Sequence, residues 1–274
     1  GGKLDICISI FKNEYHKRFL HELVSGQLDV DRLDYLRRDC FFTGVNEGNI
    51  GSERIILILD VRNNKLVVEA KGIYSIENFL LSRRLMYWQV YHHKTAISAE
   101  ITLINALKRA KELVNKGVEL FTPPALKFFL KNNVTRENFN GEAVDLFIRL
   151  DDSDIWCALK EWTNSDDMIL STLSNAFVNR NLFKIEIHTE PINDTLVDKY
   201  ISRYTQKWNL SNHEAKYFFA KRTVSTDVYN ENGNSIDILF NDDRIEDIAT
   251  ISDLLNVQLL SKKAEKYYLA YLDI

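Results

Sequence analysis

The sequence predicts a mainly α-helical fold that carries a β-hairpin and is followed by a smaller α+β region. Apolar residues recur at helical spacing through most of residues 4–180. Within residues 55–72, two strand-like runs flank an Arg-Asn-Asn-Lys turn, and after residue 180 several strand-like runs surround a helical one. We therefore expect two domains, residues 1–180 with the hairpin near residues 55–72, and residues 181–274.

The elements of the first domain follow from helix caps and chain breaks. Residues 4–25 have helical spacing, and Ser25 or Asp29 is expected to cap the next helix. The glycine-rich stretch "FFTGVNEGNIGSER" predicts a loop before the hairpin, and residues 73–116 are helical almost throughout. A proline turn restarts a helix in "FTPPALKFFL", and residues 141–180 are interpreted as two or three short helices.

The second domain is expected to combine strands with one long helix. The strand-like runs are "LFKIEI", "KYFFAKRTV", "SIDILF" and "KYYLAYL", which are rich in β-branched and aromatic residues. The helix is predicted in "DTLVDKYISRYTQKW", between the first two of these runs.

Composition excludes several classes of protein. The 274 residues are 45% hydrophobic, which is enough for a folded core, and the net charge of -4 comes from interspersed acidic and basic residues. Such a balance predicts no strong attraction to nucleic acid or to a membrane surface. Three cysteines without a CxxC pair favour a reducing cytoplasm, and no apolar run is long enough to span a membrane. No P-loop, HExxH or GxSxG motif is present.

The stretch "QLDVDRLDYLRRDC" carries the first candidate site. On a helix, Asp31, Tyr35 and Asp39 fall within about 80° of one another, opposite an apolar face. One interpretation makes Asp31 a metal ligand and lets the other two side chains position a substrate. The other is an ordinary helix surface, in which Asp34 forms an ion pair with Arg37 or Arg38, and Asp31 forms one with an arginine.

The stretch "SRRLMYWQVYHHK" carries the second candidate site. Arg83, Tyr87 and Tyr91 recur at i, i+4 and i+8, an arrangement that suits a phosphate group and a stacked sugar or base. The same stripe is also typical of a helix-packing seam. The adjacent His92 and His93 point about 100° apart and are not expected to share one metal ion.

Together with "NRNLFK" at residues 179–184, these two stretches resemble the HD-domain phosphohydrolases related to deoxynucleoside triphosphate triphosphohydrolases, including the enzyme with an added SAM domain. The resemblance covers residues 20–115 well. It implies an HD-type helical bundle, hydrolysis of a nucleotide or another phosphorylated small molecule, and a homo-oligomer. It also implies a divalent metal ion, with Mn, Mg, Fe, Ni and Zn all open. In the triphosphohydrolase branch the products are a deoxynucleoside and triphosphate.

The resemblance also implies roles for individual residues. Asp31 falls on the aspartate that completes the metal site of the family. The residues that fall on substrate contacts are Arg32, Tyr35, Asp39, Arg83, Tyr91 and His92. His92 departs from a glutamine of the family, which affects the contact to the sugar. Lys94 and Arg180 fall on basic residues that bind a regulatory nucleotide in some members.

The remaining metal ligands of the family, a histidine and a His-Asp pair, are not found among the 274 residues. His16 and His21 lie about 140° apart on a helix and are expected to be surface or packing residues. The acidic stretches "DDSD" and "NDDRIED" are interpreted as caps and turns. The chain is therefore expected to be the C-terminal portion of such an enzyme, inactive or nearly so by itself. The alternatives are a nucleotide-sensing or assembly module and a helical scaffold.

Overall fold

The computed structural model describes residues 2–226, 235–252 and 264–273. These residues form two compact units. The first comprises residues 2–93, 225–226, 235–252 and 264–265, and the second comprises residues 94–224 and 266–273.

Helices dominate the described residues, and the strands are few and short. The helices are α1 (Asp5–Phe11), α2 (Phe19–Ser25), α3 (Val30–Thr43), α4 (Ser52–Leu57), α5 (Ile73–Met86), α6 (Lys94–Asn115), α7 (Pro124–Lys131), α8 (Glu142–Arg149), α9 (Asp152–Trp162), α10 (Met168–Val178), α11 (Asp194–Trp208), α12 (Asn212–Ala215) and α13 (Ile248–Ile251). The strands are β1 (Leu59–Arg62), β2 (Lys65–Glu69), β3 (Lys184–His188), β4 (Phe219–Thr226), β5 (Asp237–Leu239), β6 (Ile245–Asp247) and β7 (Ala264–Tyr271). The predicted class, mainly α with a smaller α+β region, is confirmed.

The predicted hairpin is formed by β1 and β2, which pair antiparallel with Arg62 opposite Lys65. The two turn residues, Asn63 and Asn64, have φ angles of 50° and 64°. Asparagine tolerates this left-handed conformation, and two such residues in succession make the turn that matches the twist of a hairpin.

The start of the hairpin differs from the prediction, because residues 55–57 belong to α4 rather than to a strand. Ile55 and Ile58 are buried, whereas Ile56 and Leu57 are 56% and 80% exposed. Burial at positions i and i+3 suits a helical turn. A short apolar run fits either structure, so packing decides between them.

The first unit is built on one four-stranded sheet, in the order β1-β2-β5-β6. β2 and β5 are parallel, although about 170 residues separate them in the sequence. Apolar side chains of α3, α4 and α5 pack with this sheet in one core, whose fully buried members include Leu36, Ile55, Phe79 and Ile238. The "NDDRIED" stretch contains the predicted turn, at residues 241–243, and the predicted cap, because Asp247 caps α13. It also contains β6, which was not predicted and in which Ile245 pairs with Leu239 of β5.

The second unit contains the remaining predicted elements. β3, β7 and β4 form a sheet in that order, and α11 occupies the predicted helix. α6 buries one face of its 22 residues and packs against α10 and α7. "DDSD" is a capping box, as expected, with Asp151 at the N-cap of α9.

The predicted boundary at residue 180 does not coincide with the division into two units. Residues 94–180 lie with the strands β3, β4 and β7, because α6 contacts both α10 and β3. Residues 235–252 lie with the first unit, because β5 pairs with β2. None of the helices in the described part of the chain is long and apolar enough to cross a membrane.

Arg109 is the centre of a buried ion network in the second unit. It is 5% exposed, and its guanidinium donates to both carboxylate oxygens of Asp167 at 3.0 and 2.6 Å, and to Glu112 at 2.9 Å. Burial alone would raise the pKa of Glu112, but hydrogen bonds from Lys116, Tyr217 and the guanidinium lower this pKa to about 2. The network therefore ties α6 to the N-terminus of α10.

We expect Arg109→Met to lower the free energy of unfolding at neutral pH by about 3 kcal/mol, because it leaves Asp167 half-buried without its partner. A carboxylate with a lowered pKa stabilises the fold above its unfolded pKa, and this contribution disappears as the pH falls through its folded pKa. The wild-type chain should thus lose stability between about pH 4.5 and 2. The variant should lose less over this range. Urea unfolding curves at several pH values measure both effects.

Arg222→Met is the matched control, because Arg222 pairs with Glu100 at 2.5 Å on the surface. Exposed pairs contribute at most about 1 kcal/mol. Equal losses of stability in the two variants would show that the Arg109 network does not stabilise the second unit in particular.

Candidate functional site

The predicted site residues of the first unit lie on α3, at the end of α5 and in the turn after it. α3 begins at Val30 because the Asp29 carboxylate accepts a hydrogen bond from the backbone N–H of Arg32 at 2.8 Å. It ends at Gly44, whose φ of 72° favours glycine. α3 packs against α5, so the two sequence motifs lie side by side.

Three of the predicted residues form one connected group. The Tyr91 hydroxyl donates a hydrogen bond to Asp39 Oδ2 at 2.8 Å. The Tyr91 ring lies edge-on to the rings of Tyr35, at 6.1 Å, and of Tyr87, at 5.4 Å. Burial raises the pKa of Tyr91, and the hydrogen bond to Asp39 raises this pKa further. The Tyr91 phenol therefore stays protonated and can donate.

Arg83 is the most deeply buried of the predicted site residues, with 4% exposure. Its Nη1 donates to Gln27 Oε1 at 3.3 Å, while its Nε makes no hydrogen bond to the residues that the structure describes. Within the same part of the chain, no carboxylate forms an ion pair with it. Burial lowers the pKa of Arg83, and the positive charge of Arg32 lowers this pKa further. Arg83 is thus a buried cation that lacks an anionic partner among the described residues.

Arg32 is held at the start of α3 by two groups. Its Nη1 donates to the backbone oxygen of Gly26 at 2.5 Å and also bonds the Asp29 carboxylate. Asp29 is 2% exposed, so this contact fixes the guanidinium against the protein. The Arg32 guanidinium, which the sequence predicts to contact a phosphate, is therefore held in place by Gly26 and Asp29.

Asp31 is exposed and forms no ion pair with the part of the chain that the structure describes. Its neighbour Asp34 pairs with Arg38 at 2.8 Å, as the surface interpretation predicts, whereas the ion pair predicted for Asp31 is not formed by the described residues. Within residues 2–226, 235–252 and 264–273, no group of three His, Cys, Asp or Glu side chains is placed to hold a metal ion. The described residues therefore do not by themselves fit a metal site.

The helix that carries the second motif ends earlier than the i, i+4, i+8 pattern predicts. α5 ends at Met86, and Tyr87–Tyr91 forms a π-helical turn. His92 follows this turn, with its ring 5.4 Å from Tyr87 and 5.7 Å from Trp88. Tyr35 and Tyr91 also pack against the core of the first unit, so the stripe is partly the packing seam that the alternative interpretation proposes.

Lys94 and Arg180 lie in the second unit, where they line one pocket of about 460 Å³. Lys184 and Tyr271 line the same pocket. The structure thus brings together the two residues predicted to bind a regulatory nucleotide.

Two polar residues that lie at these sites, Gln27 and Lys184, are not predicted by the sequence patterns. Gln27 contacts Arg83 from 56 residues away, and no spacing rule connects such distant positions. Lys184 is the last residue of the "NRNLFK" stretch and follows Arg180 by four residues. The resemblance in that stretch could therefore have predicted its place in the pocket.

Comparison with known proteins supports the resemblance. Residues 50–121 match the family described as the HD associated region. The crystal structure of a phosphohydrolase from Bacteroides thetaiotaomicron is 54% identical and matches 99% of this chain and 68% of its own, with a TM-score of 0.94. The uncharacterized protein YwfO of Bacillus subtilis is 36% identical over 185 residues, which are 67% of this chain and 41% of that protein.

A more distant relative has a named activity. The deoxynucleoside triphosphate triphosphohydrolase SAMHD1 of Gallus gallus is 28% identical over 101 residues, which are 34% of this chain and 16% of that protein. The chain spans less than half the length of the curated relatives it matches. From the 54% identity to the Bacteroides protein and the extent of both chains that the match covers, this chain belongs to the HD-domain phosphohydrolase family.

Proposed function

We propose that this chain is part of a hydrolase that acts on nucleotides, in which water splits a deoxynucleoside triphosphate into a deoxynucleoside and triphosphate. The observation that carries the proposal is the buried guanidinium of Arg83, which lies near Arg32 and has no carboxylate partner among the described residues. Asp29 pairs with Arg32, but no described carboxylate pairs with Arg83, and two neighbouring cations repel each other. A polyphosphate supplies the anion that Arg83 lacks.

The polar residues around Arg83 suit the rest of a nucleotide. The free Nε–H of Arg83 is a donor for a phosphate oxygen, and charge-assisted hydrogen bonds of this kind are strong. The Tyr91 hydroxyl and the Asp39 carboxylate form a polar pair of the sort that binds a sugar hydroxyl. We assign the sugar to this pair and to His92, and the ring of Tyr35 to one wall of the site.

The family generally uses divalent metal ions. We propose that Asp31 supplies one ligand and that the others, a histidine and a His-Asp pair, come from outside these 274 residues. The surface around Asp31 supports this arrangement. Phe42 lies about 20° from Asp31 around α3 and is 78% exposed, and Phe41 is 80% exposed. Large exposed aromatic side chains are typical of a surface that another segment covers.

A second candidate function is binding of a regulatory nucleotide in the second unit. The pocket of about 460 Å³ presents Lys94, Arg180 and Lys184, which favour a phosphate group, beside the ring of Tyr271. The hydrogen bond that Lys184 donates to Asp273, together with the charge of that carboxylate, raises the pKa of the lysine. Location in the cytoplasm and assembly into a homo-oligomer stay predictions of the sequence.

The polyphosphate site can be tested by binding of inorganic triphosphate. We expect Arg83→Met and Arg32→Met each to weaken binding about 10- to 100-fold, since each removes a charge-assisted hydrogen bond of roughly 1.5–3 kcal/mol. Isothermal titration calorimetry at fixed ionic strength measures the affinities.

Arg38→Met is the control for charge alone. Arg38 lies on the same helix, is exposed and already pairs with Asp34. If Arg38→Met weakens triphosphate binding as much as Arg83→Met does, general charge and not the buried site attracts the anion.

Turnover tests the metal site. We expect the 274 residues, incubated with the four dNTPs and manganese, to release neither deoxynucleoside nor triphosphate, because the described residues supply one metal ligand. Anion-exchange chromatography separates the substrates from the products. Turnover that Asp31→Ala abolishes would contradict the incomplete site, because this chain would then complete it from its own residues.

The second pocket predicts a second class of triphosphate sites. We expect Arg180→Met to remove one class of binding sites from the wild-type titration and Arg83→Met to remove the other. Arg149→Met, which alters an exposed arginine at the end of α8, should remove neither. A single class of sites that survives Arg180→Met unchanged would rule out the regulatory pocket.

A further inference from the structure

The four residues between α2 and α3, here called the 26–29 segment, contact both guanidinium groups of the proposed site. Gly26 and Asp29 bond Arg32, through a backbone oxygen and a carboxylate. Gln27 Oε1 accepts a hydrogen bond from Arg83 Nη1 at 3.3 Å. One short segment thus connects two cations that lie 51 residues apart in the sequence.

Hydrogen bonds and close packing fix both ends of the 26–29 segment. Gly26 donates its backbone N–H to Glu22 at 2.8 Å, and a Cβ on Gly26 would lie 2.3 Å from the backbone oxygen of Glu22. Only glycine fits so close an approach. The Glu22 side chain accepts from the backbone N–H of Leu66 at 2.6 Å, which ties α2 to β2. The buried Asp29 caps α3 at the other end.

The chemistry of the Gln27 side chain suits a group that orients Arg83 without neutralising it. A carboxylate at this position would pair with the guanidinium and compete with a phosphate for its positive charge. An amide oxygen accepts one N–H and leaves the charge intact. The Nε–H, which has no acceptor among the described residues, stays available to a ligand.

We propose that Gln27 is a positioning residue, which holds the Arg83 guanidinium in the orientation that binds a phosphate. This inference rests on the proposed function, because it concerns the same polyphosphate site. The 26–29 segment then orients both guanidinium groups. It holds Arg32 through the Gly26 backbone oxygen and the Asp29 carboxylate, and it holds Arg83 through the Gln27 amide.

A double-mutant cycle with inorganic triphosphate as the probe tests the proposal on the whole 274-residue chain. We expect Gln27→Met, which keeps the length of the side chain and removes the acceptor, to weaken binding about three- to tenfold. Combined with Arg83→Met, it should cause no further loss, because Gln27 acts through Arg83. Combined with Arg32→Met, it should still cause its full loss. Titration calorimetry gives each affinity.

Two further variants separate orientation from folding. Gln27→Asn keeps the amide but withdraws its oxygen by one methylene, so we expect it to weaken binding as Gln27→Met does. Gln206→Met alters an exposed glutamine on α11 and should bind triphosphate like the wild type. Both Gln27 variants should melt within a few degrees of the wild type, which a merely structural role would not allow.

The outcomes distinguish this inference from the proposed function. If Arg83→Met weakens binding and neither Gln27 variant does, the positioning role is wrong and the polyphosphate site stands. If Gln27→Met has the same effect with and without Arg83, Gln27 does not act through that guanidinium, and the inference is again wrong. If the wild type binds triphosphate no better than Arg83→Met and Arg32→Met, the polyphosphate site fails, and the positioning role fails with it.

Discussion

Burial of the Arg83 guanidinium is the constraint that the end of α5 and the 26–29 segment must satisfy, because its positive charge has to be solvated there. Removing a cation from water costs several kcal/mol unless polar groups and opposite charge replace the lost hydration. The described groups that approach Arg83 are an amide oxygen from Gln27, a hydrogen bond with Tyr87 and the face of the Phe79 ring. These three groups are neutral and the nearby Arg32 is itself a cation, so the charge of Arg83 is solvated by dipoles and not cancelled.

The second unit contains a buried arginine, Arg109, whose charge is neutralised by carboxylates of the same unit. Arg109 is as buried as Arg83, but carboxylates of Asp167, Glu112 and Glu214 surround it. These carboxylates raise the pKa of Arg109, whereas burial and Arg32 lower the pKa of Arg83. Perturbed groups that lack compensation are typical of functional sites. The contrast between the two arginines is therefore the physical reason to place ligand binding at Arg83.

Local signals predicted most of the elements. The cap at Asp29, one of two predicted, the Asn-Asn turn of the hairpin and the strands β3, β4, β5 and β7 each depend on a few neighbouring residues and follow the prediction. The strand β6 was not predicted. Long-range pairing was not predictable in this way. Residues 235–252 belong to the first unit because β5 pairs with β2 in parallel. No pattern among neighbouring residues predicts a pairing between such distant strands.

In the candidate site, too, local spacing was predictive and contacts between distant elements were not. Spacing along α3 placed Tyr35 and Asp39 on one side, and the structure adds Tyr91 to them. The contact between Gln27 and Arg83 joins different elements, so helical periodicity says nothing about it. Periodicity also assumed one continuous helix through Tyr91, whereas α5 gives way to the π-helical turn.

That turn places Tyr91 between the core of the first unit and α3. In the turn, the backbone N–H of His92 bonds the oxygen of Tyr87 at 2.7 Å, five residues back instead of four. Turns of this kind widen a helix locally and are frequent at functional sites. The Tyr91 ring packs against the core while its hydroxyl reaches Asp39 on α3. One aromatic side chain at the end of this turn thus supplies both a packing contact and a polar group.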